Sequence, residues 1–282
     1  MTQPQTEANQ AQAELWNGRA GRNWVEQNTL LDRLLEPFER VLLDAVRDLG
    51  ARAALDVGCG AGATTFAVAR SLNGHGRCIG ADLSAPLIEL ARRRATELGV
   101  DNADFIVADA QQHDFAPATF DAVISRFGVM FFDDPVAAFA NLRRAARPAA
   151  GLACIVWRGP EENPFMTAGE RAAAPLLPVP PPRDPAAPGQ FAFADPDRVR
   201  GLLSAAGWRA VDLQPLDLAC ALPADDLETY ATRIGPVSLA LLGLETDHRD
   251  AVIAAVKRGF EPFLAEGAAR FTAACWLVRA RG

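Results

Sequence analysis

The chain is poor in several residue types that commonly carry chemistry. It has one lysine, Lys257, one tyrosine, Tyr230, three histidines and three methionines in 282 residues. Its basic charge is therefore almost all arginine, and the formal net charge is −7. That balance speaks against a broad basic surface, so no nucleic-acid partner is expected. The five cysteines (Cys59, Cys78, Cys154, Cys220, Cys275) lie far apart, with no CxxC pair and no His/Cys cluster. Such spacing excludes a disulfide framework and a zinc knuckle, and no metal site is expected. Apolar runs stay short of 18 residues, and Met1 to Gln12 is polar, without a basic-then-apolar leader. Neither membrane insertion nor secretion is expected, and the reading is a soluble cytoplasmic protein. Nothing in the composition opposes a homodimer.

What is present is core material. Half of the residues are apolar and 22% are charged, proportions of a globular chain able to bury one large domain. Residues 1–12 have little to bury and are expected to fray. Leu31, Leu34, Leu35, Phe38, Val41, Leu42, Ala45, Val46 and Leu49 recur at helical spacing. They predict one or two amphipathic helices, with Pro37 as a kink or a second start and Gly50 as the stop.

Short apolar runs then alternate with helical patterns. Strands are predicted at Ala53–Val57, Arg77–Ala81, Ala103–Ala108, Phe120–Ile124 and Leu152–Trp157. Ser84 is expected to cap the helix that runs to Leu98, and Asp133-Asp134-Pro135 to cap the next one, over Pro135 to Ala146. The run Pro148-Ala149-Ala150-Gly151 is read as a break before the fifth strand. This rhythm implies βαβ units and a largely parallel sheet covered on both faces. Nine prolines over residues 159–190 interrupt it and are read as a surface excursion or lid. A helix (Asp197–Ala206), a strand near Arg209–Leu213 and helical stretches at Asp225–Leu242 and Asp247–Leu264 follow. A last strand, Arg270–Ala280, is expected to run antiparallel to the others.

The first strand ends in Gly58-Cys59-Gly60-Ala61-Gly62 and opens a helix. Glycines there permit tight turns and close ligand approach, and the helix N-terminus presents N–H groups. The loop alone also fits a dinucleotide site, or a tight turn with no ligand. Three carboxylates add weight: Asp56 within the first strand's end, Asp82 ending the second and Asp109 ending the third. They suit, in turn, a ligand ammonium, a ribose diol and a nucleobase amine, at the edge where open α/β sheets bind ligands.

Taken together, Leu55 to Gly62, Gly80-Ala81-Asp82-Leu83-Ser84, Val107-Ala108-Asp109-Ala110 and Phe120 to Ser125 resemble successive motifs of the class I S-adenosylmethionine-dependent methyltransferases. Arg143 to Gly151 is similar to the segment before their fifth strand, with Ala149-Ala150-Gly151 departing from the usual double glycine. The resemblance leans to the ubiquinone/menaquinone-biosynthesis-like, small-molecule branch. It implies a Rossmann-like α/β fold of seven strands in the order 3-2-1-4-5-7-6, strand 7 antiparallel. It further implies a helical segment over 1–49, a methyltransferase domain over 50–282, and an inserted lid (158–195) and helical cover (217–266). For the methyl donor S-adenosyl-L-methionine it places the methionine moiety against Asp56, Gly58 and Gly60. The ribose goes to Asp82, and the adenine to Leu83, Asp109 and Ala110. Ser125 and Arg126 fall near the sulfonium, and Trp24 closes over the donor.

Phe127, Met130 and Phe131 follow the fourth strand and are candidates for an apolar wall around a small-molecule acceptor, with Phe132 and Phe139 nearby. His113, Glu161, Glu162 and Asn163 are weaker candidates, and no catalytic residue is assigned. Methyl transfer needs alignment and exclusion of water more than covalent help, so a missing base is compatible with it. Two alternatives are a non-catalytic donor-binding module and an NAD-dependent oxidoreductase. Against the second, a tyrosine–lysine pair of the short-chain dehydrogenase kind is impossible here, because Tyr230 is the only tyrosine and the only lysine, Lys257, lies 27 residues away.

Overall fold

The computed structural model describes residues 7–72, 74–179, 184–235 and 237–282. The strands are β1 (Ala53–Val57), β2 (Arg77–Asp82), β3 (Ala103–Val107), β4 (Phe120–Arg126), β5 (Ala146–Trp157), β6 (Arg209–Pro223), the two-residue β7 (Leu264–Ala265) and β8 (Ala268–Arg281). They form one sheet in the order β3-β2-β1-β4-β5-β8-β6, with β7 folded onto β8. Leaving out the short β7, this is the predicted seven-strand order. β1 to β5 pair in parallel, and β8 runs antiparallel to both β5 and β6.

The central strands read as continuous apolar runs because both faces are covered. Ala54, Leu55, Asp56 and Val57 of β1 are all buried. The helices before the sheet are α1 (Glu7–Asn17), α2 (Arg19–Glu26) and α3 (Asn28–Asp48). α3 is one helix with Pro37 inside it, and it buries Leu31, Leu34, Phe38, Leu42 and Val46. Between strands lie α4 (Ala63–Ser71), α5 (Ala85–Leu98) and α6 (Pro135–Ala145). Ser84 caps α5, its hydroxyl accepting from the Leu87 N–H. Asp134 caps α6, accepting from the Ala137 N–H at 2.9 Å, with Pro135 in the first turn where no N–H is needed. Asp121 accepts from the N–H groups of Arg52 and Ala53 and pairs with Arg147 at 2.5 Å, which fixes the start of β1 beside β4.

The structure corrects the sequence reading in four places. Residues 7–12 are helical, within α1, rather than frayed, and residues 1–6 lie outside the described residues. The Pro148–Gly151 break lies inside β5. Pairing with β4 jumps from Phe120–Ala146 to Ala122–Gly151, and Ala149 takes a left-handed φ of 65°, so the extra residues form a bulge. β6 continues to Pro223, so the helical cover starts at Ala224 instead of 217. It is also broken into α9 (Leu227–Thr229), a π-helical turn (Tyr230–Ile234) and α10 (Val237–Ala240).

The fourth correction concerns the proline-rich stretch, read as a surface excursion or lid, which holds a helix of its own. Pro164 opens α7 (Pro164–Ala173), and Pro175 sits in the 3-10 turn that follows. Gly169 of α7 lies against Phe260 and Val256 of α11 (Thr246–Phe260). Phe165 stacks on Phe271 of β8 with ring centroids 3.8 Å apart. Residues 180–183 lie outside the described residues. After them, α8 (Pro196–Ala205) returns the chain to β6.

Candidate active site

The carboxyl ends of β1 to β5 open on one edge of the sheet, where α/β folds bind ligands. The loop after β1 depends on glycine for a steric reason. Gly58 has φ +69°, and a Cβ there would lie 2.6 Å from the Cα of Gly128, so the loops after β1 and β4 touch backbone to backbone. Gly58 and Cys59 both donate their N–H groups to the Ala81 carbonyl, which holds the loop against the end of β2. Arg94 of α5 donates to the Ala61 carbonyl at 2.8 Å and pairs with Asp32 of α3 at 2.5 Å. The loop is thus fixed from three sides before any ligand arrives.

Asp82 ends β2 beside this loop. One of its oxygens accepts from the Gly60 N–H at 2.8 Å and the other from the Ser84 N–H at 2.9 Å. Burial pushes its pKa up, and these backbone donors pull it back in part. Each carboxylate oxygen keeps further acceptor capacity, and Asp82 lines a cavity of about 230 Å³. Asp109, at the end of the next strand, also lines it and accepts from the Gln111 N–H at 2.9 Å.

The cavity brings most of the sequence candidates together. Trp24, Gly58, Gly60, Asp82, Leu83, Asp109, Ala110 and Arg126 line it, as do Phe127, Met130 and Phe131. Asp56 instead faces a smaller cavity of about 50 Å³, which shares Trp24, Gly58, Gly60, Arg126 and Phe127 with the large one. Ser125 lines neither cavity. Its buried hydroxyl donates to the Val57 carbonyl at 2.7 Å and accepts from the Gly128 N–H, tying β4 to β1. Phe132 lines the large cavity, whereas Phe139 packs into the core against Phe193. His113, Glu161 and Glu162 line neither cavity. Asn163 spends its side chain on backbone: it donates to the Ala274 carbonyl and accepts from the Ala274 N–H.

Several lining residues had no sequence motif to announce them. Trp16 meets Trp24 edge-on at 5.6 Å and Phe131 at 5.3 Å. The Ser84 hydroxyl donates to the Trp16 carbonyl, and Asn17 donates to the Leu83 carbonyl while accepting from the Ala85 N–H. The N-terminal helices are therefore hooked onto the loop that carries Asp82. A tryptophan in an otherwise polar N-terminus was the available signal. Phe38, Trp157, Tyr230 and Phe271 also line the cavity, from four separate elements.

Asp56 is 1% exposed, and burial raises its pKa to about 6, although the Thr65 hydroxyl (2.7 Å) and the Arg126 charge oppose the shift. An acid raised in the folded state makes the protein lose stability as pH climbs from the unfolded value to the folded one. Asp56 should therefore cost about 3 kcal/mol between pH 4 and pH 6, with no further change above. Asp56→Asn should flatten that slope in urea unfolding across this window. An unchanged slope would contradict the assignment.

Comparison with known proteins agrees with this geometry. The architecture is shared with solved structures that include a methyltransferase from Bacillus halodurans described as putative, at 17% identity and a TM-score of 0.54 over 85% of this chain and 97% of that one. Residues 54–149 match a family described as a methyltransferase domain. The chain is 34% identical over 120 residues to aklanonic acid methyltransferase DauC of a Streptomyces species, covering 41% of this chain and 54% of that protein. It is 33% identical over 109 residues to the demethylmenaquinone methyltransferase of Lactiplantibacillus plantarum, 38% of this chain and 46% of that one. The match thus spans about half the length of these two relatives. A longer match, 28% identical over 244 residues, joins it to nocamycin O-methyltransferase of Saccharothrix syringae, covering 82% and 85%. The crystal structure of YcgJ from Bacillus subtilis shares the fold, with a TM-score of 0.56 at 18% identity over 86% of this chain and 97% of that one. The similarity to methyltransferases thus centres on residues 54–149. Among the described residues no helix is long and apolar enough to cross a membrane.

Proposed function

We propose that the protein transfers a methyl group from S-adenosylmethionine to a small, partly apolar molecule. The observation that carries this reading is Asp82: a half-buried carboxylate, held by two backbone N–H groups and with acceptor capacity to spare, in a cavity whose far end is aromatic. The residues present fit the donor. Asp82 suits the ribose diol, Leu83, Asp109 and Ala110 suit the adenine, and Gly58 and Gly60 let the ligand approach the backbone. Asp56 and Arg126 lie together beside the glycine loop and offer one charge of each sign to an amino-acid end. Arg126 donates to the Leu35 carbonyl at 3.2 Å, and the rest of its guanidinium is available to a carboxylate. Trp16 and Trp24 cover this half.

When bound, S-adenosylmethionine supplies an electrophilic methyl group that leaves its bonding electrons on sulfur. The chain's part is to orient the two reactants and keep water out. Phe127, Met130 and Phe131 wall the space beyond the donor residues. Small-molecule acceptors appear in the names of the similar proteins, aklanonic acid and demethylmenaquinone among them, and support the reading by analogy. Incubation with labelled donor and a panel of aromatic and aliphatic small molecules tests it. Methylated product from an apolar member is the expected result. Product only from highly charged acceptors would sink the apolar assignment, and donor binding with no turnover on any acceptor would favour a binding module.

A further inference from the structure

The half of the cavity away from Asp82 and Asp109 is walled by aromatic rings. Phe127 stacks on Trp157 at 4.3 Å with a 6° interplanar angle, and Phe38 meets both edge-on, at 4.9 and 5.8 Å. Phe271 lines the cavity from β8. A planar ligand can stack on such a wall or meet it edge-on.

Tyr230 stands out in this wall. Its hydroxyl is the only one among the described residues that line the cavity. The ring is held by Phe165 and Phe260 behind it, at 5.5 and 6.3 Å, in the π-helical turn of the cover. Such turns are frequent at functional sites. The hydroxyl has no hydrogen-bond partner among the described residues. Burial first, and neighbouring Cys220 second, push its pKa up to about 12, so it donates a proton in a hydrogen bond rather than accepting one as a base. Apart from Asp82 and Asp109, at the other end, no carboxylate or imidazole is among the described lining residues, and Arg126 is their only cation. With Arg126 engaged by the donor, this half offers the Tyr230 hydroxyl to a negative oxygen and, among the described lining residues, no carboxylate or imidazole to take a proton from a neutral one.

We infer that the acceptor is a planar aromatic compound bound with an already ionised ring oxygen, an enolate or phenolate, and that Tyr230 is the positioning residue that donates a hydrogen bond to it. The inference rests on the methyl-transfer reading for what the site is used for, but its test reads binding alone. A hydrogen bond to an anion in an apolar chamber is stronger than one to a neutral oxygen, so Tyr230 both orients the acceptor and selects its charge state.

The probes are 2-hydroxy-1,4-naphthoquinone, an acidic enol ionised at neutral pH, and its methyl ether, which cannot ionise. Binding is followed by tryptophan fluorescence, with and without S-adenosylhomocysteine. The wild-type protein is expected to favour the ionised probe by at least about tenfold. Tyr230→Phe, which keeps the ring packing, should lose that preference and bind the ether as before. In the wild type alone, lowering the pH through the probe's own ionisation should weaken the enol and leave the ether unchanged, a readout independent of how well the variant folds. Equal binding of the two probes, no binding of either, or a preference that survives Tyr230→Phe overturns the inference. Failure of S-adenosylhomocysteine to bind while the enol is still selected would instead overturn the donor assignment and leave this inference standing.

Discussion

Replacing Asp82 by alanine should weaken S-adenosylhomocysteine binding by about 10- to 150-fold. The figure follows from about 1.5–3 kcal/mol for hydrogen bonds to a charged group. The carboxylate sits half-buried where β2 ends, with its oxygens already aligned by the Gly60 and Ser84 N–H groups. No reorganisation is needed when a diol arrives, so removing the group forfeits the interaction in full. The variant also leaves those two N–H groups without their partner, and the glycine loop loses one of its ties to β2. Asp82→Asn tests the same point with less change of shape. Its amide nitrogen would face one of the two backbone donors, so it too should bind more weakly. Calorimetry showing unchanged affinity in both variants would contradict the ribose assignment.

Phe38→Ala should be the most costly single truncation near the site. Phe38 is fully buried at the centre of the inward face of α3, and its ring meets both Phe127 and Trp157. Truncating a buried phenylalanine costs about 3–5 kcal/mol in lost transfer energy and cavity. For a chain of this size that lowers Tm by about 6–20 °C. The void opens beside the aromatic half of the cavity, so acceptor selection should relax toward bulkier molecules at the same time. Arg47→Ala is the control: its side chain is 75% exposed and pairs with Asp44 at the surface, so the change should stay within about 0.5 kcal/mol. A Phe38→Ala Tm within a degree of the control would mean that α3 does not brace this wall.

The donor half of the site was legible because its signals are local. Glycines with positive φ, a capping serine and a carboxylate at each strand end are dictated by neighbours a few residues away. Asp82 and Gly60 are 22 residues apart, but each sits at the end of a strand that sequence pattern predicts. The aromatic half was legible only where it follows β4, at Phe127, Met130 and Phe131. Phe38, Trp157, Tyr230 and Phe271 meet through tertiary packing of α3, β5, the cover and β8, and no spacing along the chain announces that. The extension of β6 to Pro223 was hidden for a related reason. Its residues alternate weakly and contain Pro215, and they are held by pairing with β8, from Pro215–Trp276 to Pro223–Ala268. Ser125 shows how a motif position can serve the scaffold. It occupies a motif position, yet its hydroxyl faces Val57 and Gly128 instead of the cavity.

The central claim is that the carboxylates at the strand ends make a site for S-adenosylmethionine rather than for a dinucleotide. Calorimetric titration of the full chain with S-adenosylhomocysteine and, separately, with NAD tests it most directly. The account predicts one-to-one binding of S-adenosylhomocysteine at micromolar strength and no heat of binding with NAD. Saturable binding of NAD with none of S-adenosylhomocysteine would contradict it.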